Sequence, residues 1–172
     1  DFDGVLCDSA SETASSAWNC AYKLWPDELK QKEIPEEIRD GFLKARPCLE
    51  TGYQAVIMIK MLLEKLPFSA FQNDLQEHCE RIMQEKKVNK EYLIDLFGST
   101  RDKWIKNDLQ GWLKSHRFFP GTIDTFKEAC QKFDVYILTT KQERYVSLLL
   151  EGEGVNFPAE KIFGLEKKIS KE

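Results

Sequence analysis

Asp1-Phe2-Asp3-Gly4-Val5-Leu6-Cys7-Asp8-Ser9 is the stretch on which the reading of this chain turns. It sets two carboxylates two residues apart, ahead of an apolar run and a strong helix start. If a β-strand ends at Asp1, alternation sends Asp1 and Asp3 to the same side, where one can attack and the other can move protons. Gly4 lets the chain turn sharply just after them. Two plainer readings compete. Asp-Gly is a common hairpin turn, with Val5-Leu6-Cys7 as the returning strand. A calcium loop of the Asp-x-Asp-x-Asp-Gly type needs a bidentate Glu where this chain has Ala10, so that reading fails.

Working outward, Ser9-Ala10-Ser11-Glu12 reads as a capping box. Ala14, Ala17, Trp18, Ala21, Tyr22 and Trp25 then recur at helical spacing, which predicts a helix stopping before Pro26. Pro35 opens a second helix with Ile38, Phe42 and Leu43 on one face, ended by Arg46-Pro47. A third is expected over 51–66. Its Val56-Ile57-Met58-Ile59 segment is apolar nearly all round, so it should be the buried helix of the region. Phe71, Leu75, Cys79, Ile82 and Met83 mark a fourth helix, and 92–97 a short fifth closed by Gly98. A sixth starts at Ser99 or Thr100 and carries Trp104, Ile105, Leu109, Trp112 and Leu113, an aromatic face read as core packing.

From Phe118 the pattern changes. Phe118-Phe119-Pro120-Gly121 is a break, 122–132 a helix, and Val135-Tyr136-Ile137-Leu138 a continuous apolar run. Bounded by Asp134 and by Thr139-Thr140-Lys141, that run reads as a strand buried on both faces. A helix over 142–151, closed by Gly152 and Gly154, leads to a further short strand at Ile162-Phe163-Gly164. Helix alternating with buried strand implies a parallel α/β layer. The expected organisation is an α/β core from 1–10 and 118–172, interrupted by an α-helical cap at 11–117.

Composition narrows the function classes. With 172 residues, 42% hydrophobic and 31% charged, the chain is long enough for one domain, or for a small core with an insertion, and is globular. A net charge of −4, with bases spread among acids, gives no reason to expect nucleic acid. The small cluster Lys114, His116, Arg117 reads as a solvated helix end. Five cysteines without a CxxC pair suit reduced thiols of an intracellular compartment, cytoplasmic or organellar. Only two histidines, His78 and His116, are present, which leaves a His-based metal site or triad little support. No stretch of 18 apolar residues is present, so no membrane partner is expected.

The opening segment resembles the first motif of the haloacid dehalogenase-like hydrolase superfamily, DxDG(V/T)LxDS, at every defined position. Ile137-Leu138-Thr139-Thr140-Lys141 is similar to its second motif, a hydrophobic strand ending in Thr or Ser. Phe119-Pro120-Gly121 resembles the family's re-entry into its core. The layout is nearest the phosphoglycolate phosphatase-like group. The resemblance implies a Rossmann-like parallel-sheet core, here incomplete with about three strands, and a helical cap that selects the substrate.

It also implies a phosphoryl-transfer site. Asp1 would attack phosphorus and form an aspartyl phosphate, Asp3 would act as general acid and base, and Thr139 would hydrogen-bond a transferring oxygen. Mg²⁺ would be held at Asp1 and Asp3, because a carboxylate attacking a phosphate meets charge repulsion. Thr140 and Arg46 are expected at the substrate, Arg46 through bidentate contact with an anion. The family's third motif supplies a lysine. Lys167, Lys168 and Lys171 qualify, Lys171 being preferred at the opening of a helix, and Lys141 is a further candidate. The acidic fourth motif is missing, and no hydrophobic residues precede Asp1, so the chain is expected to be clipped at both ends. The expected substrate is a small phosphomonoester. Phosphomutase activity and a non-catalytic scaffold role are the alternatives.

Overall fold

A computed structural model describes residues 1–167. The chain is mixed α and β, dominated by helix, and it divides into two compact units. One comprises residues 10–112 and the other residues 1–9 together with the chain from Leu113 onward. The boundaries expected from sequence are 10/11 and 117/118.

In the first unit the apolar periodicities become a helical core. Helices α1 (Ala10–Leu24), α2 (Glu36–Ala45), α5 (Leu75–Glu85) and α6 (Lys90–Asn107) surround α3 (Gly52–Leu63). Every residue of α3 from Tyr53 to Met61 is buried, as an all-round apolar helix must be. Gln54 closes its N-terminus, its side-chain oxygen accepting the N–H groups of Glu50 and Thr51 at 3.0 Å each. On α1 the buried apolar residues are Ala14, Ala17, Trp18, Cys20 and Ala21, and the Trp18 indole donates to the Lys32 carbonyl at 2.9 Å.

Helix boundaries differ from expectation in two places. The fourth predicted helix is broken into α4 (Phe68–Asn73) and α5 at Asp74, whose backbone leaves the helical region at φ −129°, ψ 20°. The fifth and sixth are fused in α6, which runs straight through Gly98. A mid-helix glycine costs about 1 kcal/mol relative to alanine, and the burial of Leu93, Phe97 and Gly98 offsets that cost. The break comes instead at Asp108. Its carboxylate caps the next turn by accepting the Gly111 N–H at 2.8 Å, and α7 (Leu109–Lys114) follows. The aromatic face is only partly core: Trp112 is fully buried, but Leu109 is exposed. His116, read as part of a solvated end, is buried.

In the second unit the strands correct the sequence reading. Asp1 and Phe2 are not in a strand. The Phe2 carbonyl accepts the N–H groups of Val5, Leu6 and Cys7 at 3.3, 3.0 and 3.2 Å, which curls 2–7 into a turn. Gly4 sits in it at φ +80°, in the left-handed region that glycine tolerates best. Strand β1 is therefore Cys7–Asp8, paired antiparallel with β2 (Arg117–Phe118). Further bonds extend this seam, from Phe119 N–H and from the Thr122 hydroxyl to the Leu6 carbonyl.

After α8 (Thr122–Lys132), β3 (Ile137–Leu138) pairs in parallel with β4 (Ile162–Phe163) across α9 (Glu143–Gly152). Among the described residues there are thus two separate two-stranded sheets, where one parallel sheet of about three strands was expected. Nor is β3 buried on both faces. Ile137 is 3% exposed, but Tyr136 and Leu138 are 50% and 36% exposed, because β3 carries cover on one face only.

Candidate functional site

Asp3 is held from both sides of the second unit. Its Oδ1 accepts the Ser9 hydroxyl at 2.7 Å and faces the Lys141 ammonium at 3.2 Å. Ser9 follows β1 directly, and Lys141 lies three residues beyond the end of β3, so the tight loop 2–7 and the β3–α9 turn converge on one carboxylate. Both donors are buried, Ser9 at 3% exposure and the Lys141 side chain at 2%. A lysine so far from water requires an anionic partner, and Asp3 provides it.

The turn that carries Lys141 is built by β4. Thr139 N–H donates to the Phe163 carbonyl at 2.9 Å, and Leu165 N–H donates to the Lys141 carbonyl at 3.1 Å. Gly164 permits the close approach: a Cβ there would sit 2.7 Å from the Lys141 carbonyl oxygen and 2.9 Å from Glu143 N. Within the turn, the Thr139 hydroxyl oxygen accepts the Lys141 N–H at 3.1 Å. That leaves its own proton to donate elsewhere. Thr139 is 6% exposed, and Thr140 beside it is exposed.

Of the other residues singled out from sequence, Asp1 is exposed and its Oδ1 accepts the N–H of Phe2 at 2.7 Å. Strand alternation does not align it with Asp3, because neither residue lies in a regular strand. Phe2 between them is fully buried, edge-on to Phe118 with centroids 6.0 Å apart, which anchors the segment. Arg46 belongs to the helical unit, at the C-cap of α2, and its Nε is buried without a hydrogen-bond partner. Lys167 donates to the Ile162 carbonyl at 2.5 Å and pairs with Glu143 at 3.4 Å rather than with Asp3. Lys168 and Lys171 lie outside the described residues.

Cys7 packs beside this cluster. Burial pushes its thiol up to about 12, the Lys141 charge opposing and the Asp3 charge adding to the rise. It is a packing group, not a nucleophile. Among the described residues no group of three His, Cys, Asp or Glu side chains is arranged to hold a metal. The exposed Asp1 carboxylate is a hard oxygen donor of the type that Mg²⁺ takes from protein when phosphate and water complete its shell.

Of the residues singled out from sequence, the structure brings Asp3 and Lys141 together and places Thr139 in the same turn as Lys141. Sequence reasoning missed Ser9 as a partner of Asp3, having read it as a helix cap. The chain matches no family model, no curated protein and no solved structure.

Proposed function

We propose that the chain is a phosphomonoester hydrolase of the haloacid dehalogenase type, with a Rossmann-like core and residues 10–112 as its substrate-selecting cap. The observation that carries this reading is the meeting of the two motif segments, Lys141 Nζ lying 3.2 Å from Asp3 Oδ1. Motifs far apart in sequence gain weight when folding joins them.

Asp3, an anion beside Lys141, first takes a proton from solvent; an Asp1 carboxylate oxygen then attacks phosphorus as the bond to the leaving alkoxide breaks, and protonated Asp3 passes that alkoxide its proton. Asp3 then takes a proton from water, whose oxygen attacks the aspartyl phosphate. The bond from phosphorus to Asp1 breaks, phosphate leaves and the carboxylate is restored. The Thr139 proton is directed to a phosphoryl oxygen. Asp1 and Asp3 would hold Mg²⁺, whose positive charge would relieve repulsion between nucleophile and phosphate. The substrate class is a small phosphorylated metabolite.

The test is Mg²⁺-dependent release of inorganic phosphate from p-nitrophenyl phosphate by the full-length protein. Asp1→Asn is expected to fall to background, and Asp3→Asn to lose roughly 10²–10⁴-fold in kcat. Equal rates in wild type and Asp1→Asn would sink the mechanism.

A further inference from the structure

The geometry points to Lys141 as a positioning residue that sets the orientation of the Asp3 carboxylate. The role rests on the reading of Asp3 as the acid–base group and deepens it. An aspartate's terminal torsion is broad and roughly two-fold, so an acid–base carboxylate left to itself samples many orientations. Here a single oxygen, Oδ1, receives two donors, the Ser9 hydroxyl at 2.7 Å and the Lys141 ammonium at 3.2 Å. Two donors on one oxygen fix both the plane and the direction of the group.

Lys141 is itself held. Its N–H is on the Thr139 hydroxyl oxygen, its carbonyl takes the Leu165 N–H, and Gly164 packs against that carbonyl. One turn therefore delivers both the Thr139 hydroxyl and the cation that orients Asp3, and a displacement of the turn moves both together.

Magnitudes favour orientation over stability as the purpose of the pair. Desolvating two charges cancels most of their attraction, so a buried ion pair adds little to folding compared with apolar packing. Orientation is different: a displacement of about 1 Å at a reacting group costs about a hundredfold in rate.

The test compares wild type, Lys141→Met and Lys141→Arg in the full-length protein. With p-nitrophenyl phosphate and Mg²⁺, Lys141→Met is expected to lose about a hundredfold in kcat with KM little changed. Lys141→Arg, which restores a cationic donor, recovers much of that loss. A second measurement needs neither metal nor substrate. Urea unfolding of Asp3→Asn, Lys141→Met and the double variant is expected to be non-additive, because the two side chains interact directly. Hydrolysis by the wild type with kcat unchanged in Lys141→Met overturns this role alone, as do additive unfolding midpoints. No hydrolysis by the wild type overturns the phosphatase reading and this role with it, and non-additive unfolding then identifies the pair as structural.

Discussion

Glu12 and Arg101 form a bidentate ion pair in the core of the helical unit, with Arg101 Nε 2.8 Å from Oε1 and its terminal nitrogen 2.6 Å from Oε2. The Glu12 side chain is wholly buried and that of Arg101 is 9% exposed. Ser16 adds a hydroxyl donor to Oε1 at 2.6 Å, and the guanidinium stacks 4.2 Å over the Phe97 ring. The pair ties α1 to α6 by geometry that only a planar guanidinium can match.

Removing one partner strands a charge away from water. Arg101→Met is therefore expected to destabilise the protein by ~3–5 kcal/mol, with Glu12→Met plus Arg101→Met costing less than the single change. Urea unfolding midpoints of the two variants check this ordering. A double variant less stable than the single one would contradict it.

Gly164 gives a second expectation. Its missing side chain lets β4 approach the Lys141 turn, where an added Cβ meets backbone at 2.7 and 2.9 Å. Backbone cannot swing aside as a side-chain tip can, so Gly164→Ala should cost ~1–3 kcal/mol and displace the turn holding Thr139 and Lys141. Thermal unfolding reads the first effect. Loss of the proposed phosphatase turnover at a temperature where the variant is folded reads the second.

The cysteines should separate by reactivity. Burial, above all, raises the Cys79 thiol to about 12 and the Cys20 thiol to about 11, whereas Cys130 is exposed. Alkylation depends on the thiolate. With iodoacetamide at pH 8, peptide mapping is expected to show Cys130 modified well before Cys20 and Cys79, and the difference to vanish in guanidinium. Early labelling of Cys79 in folded protein would contradict the packing of α5.

Acid should weaken the helical unit through Glu28. Hydrogen bonds from Lys60, then from Lys86, hold its carboxyl below the ordinary value of 4.5. Because the folded value is depressed, the contribution is fully present above pH 4.5 or so and is lost as pH falls through the folded value. Glu28→Gln should therefore be less stable than wild type at pH 7, with the gap closing in acid. A gap that stays constant down to pH 2 would show that the carboxylate's charge contributes nothing.

Much of the helical unit was legible because burial there follows period. The apolar positions of α1 and the all-round apolar run of α3 are local facts of the sequence, and their burial follows from them. Gly98 misled because glycine weakens a helix without forbidding one, and packing around it outweighed the penalty. The turn over residues 2–7 escaped the sequence for a different reason. Its placement depends on three N–H groups converging on the Phe2 carbonyl, a turn that alternation does not encode.

At the candidate site, the residue types and their local spacing, Asp1-x-Asp3-Gly4 and Thr139-Thr140-Lys141, were readable along the chain, and they carry the proposed chemistry. Which of the candidate lysines meets Asp3 was not readable, nor that Ser9 turns to the same oxygen. An apolar stripe states which face must leave water, so periodicity reveals it. A charge or hydroxyl states only that it needs a partner. Which partner it meets depends on segments distant in sequence, and only the folded chain, by closing the loop between Asp3 and Lys141, selects it.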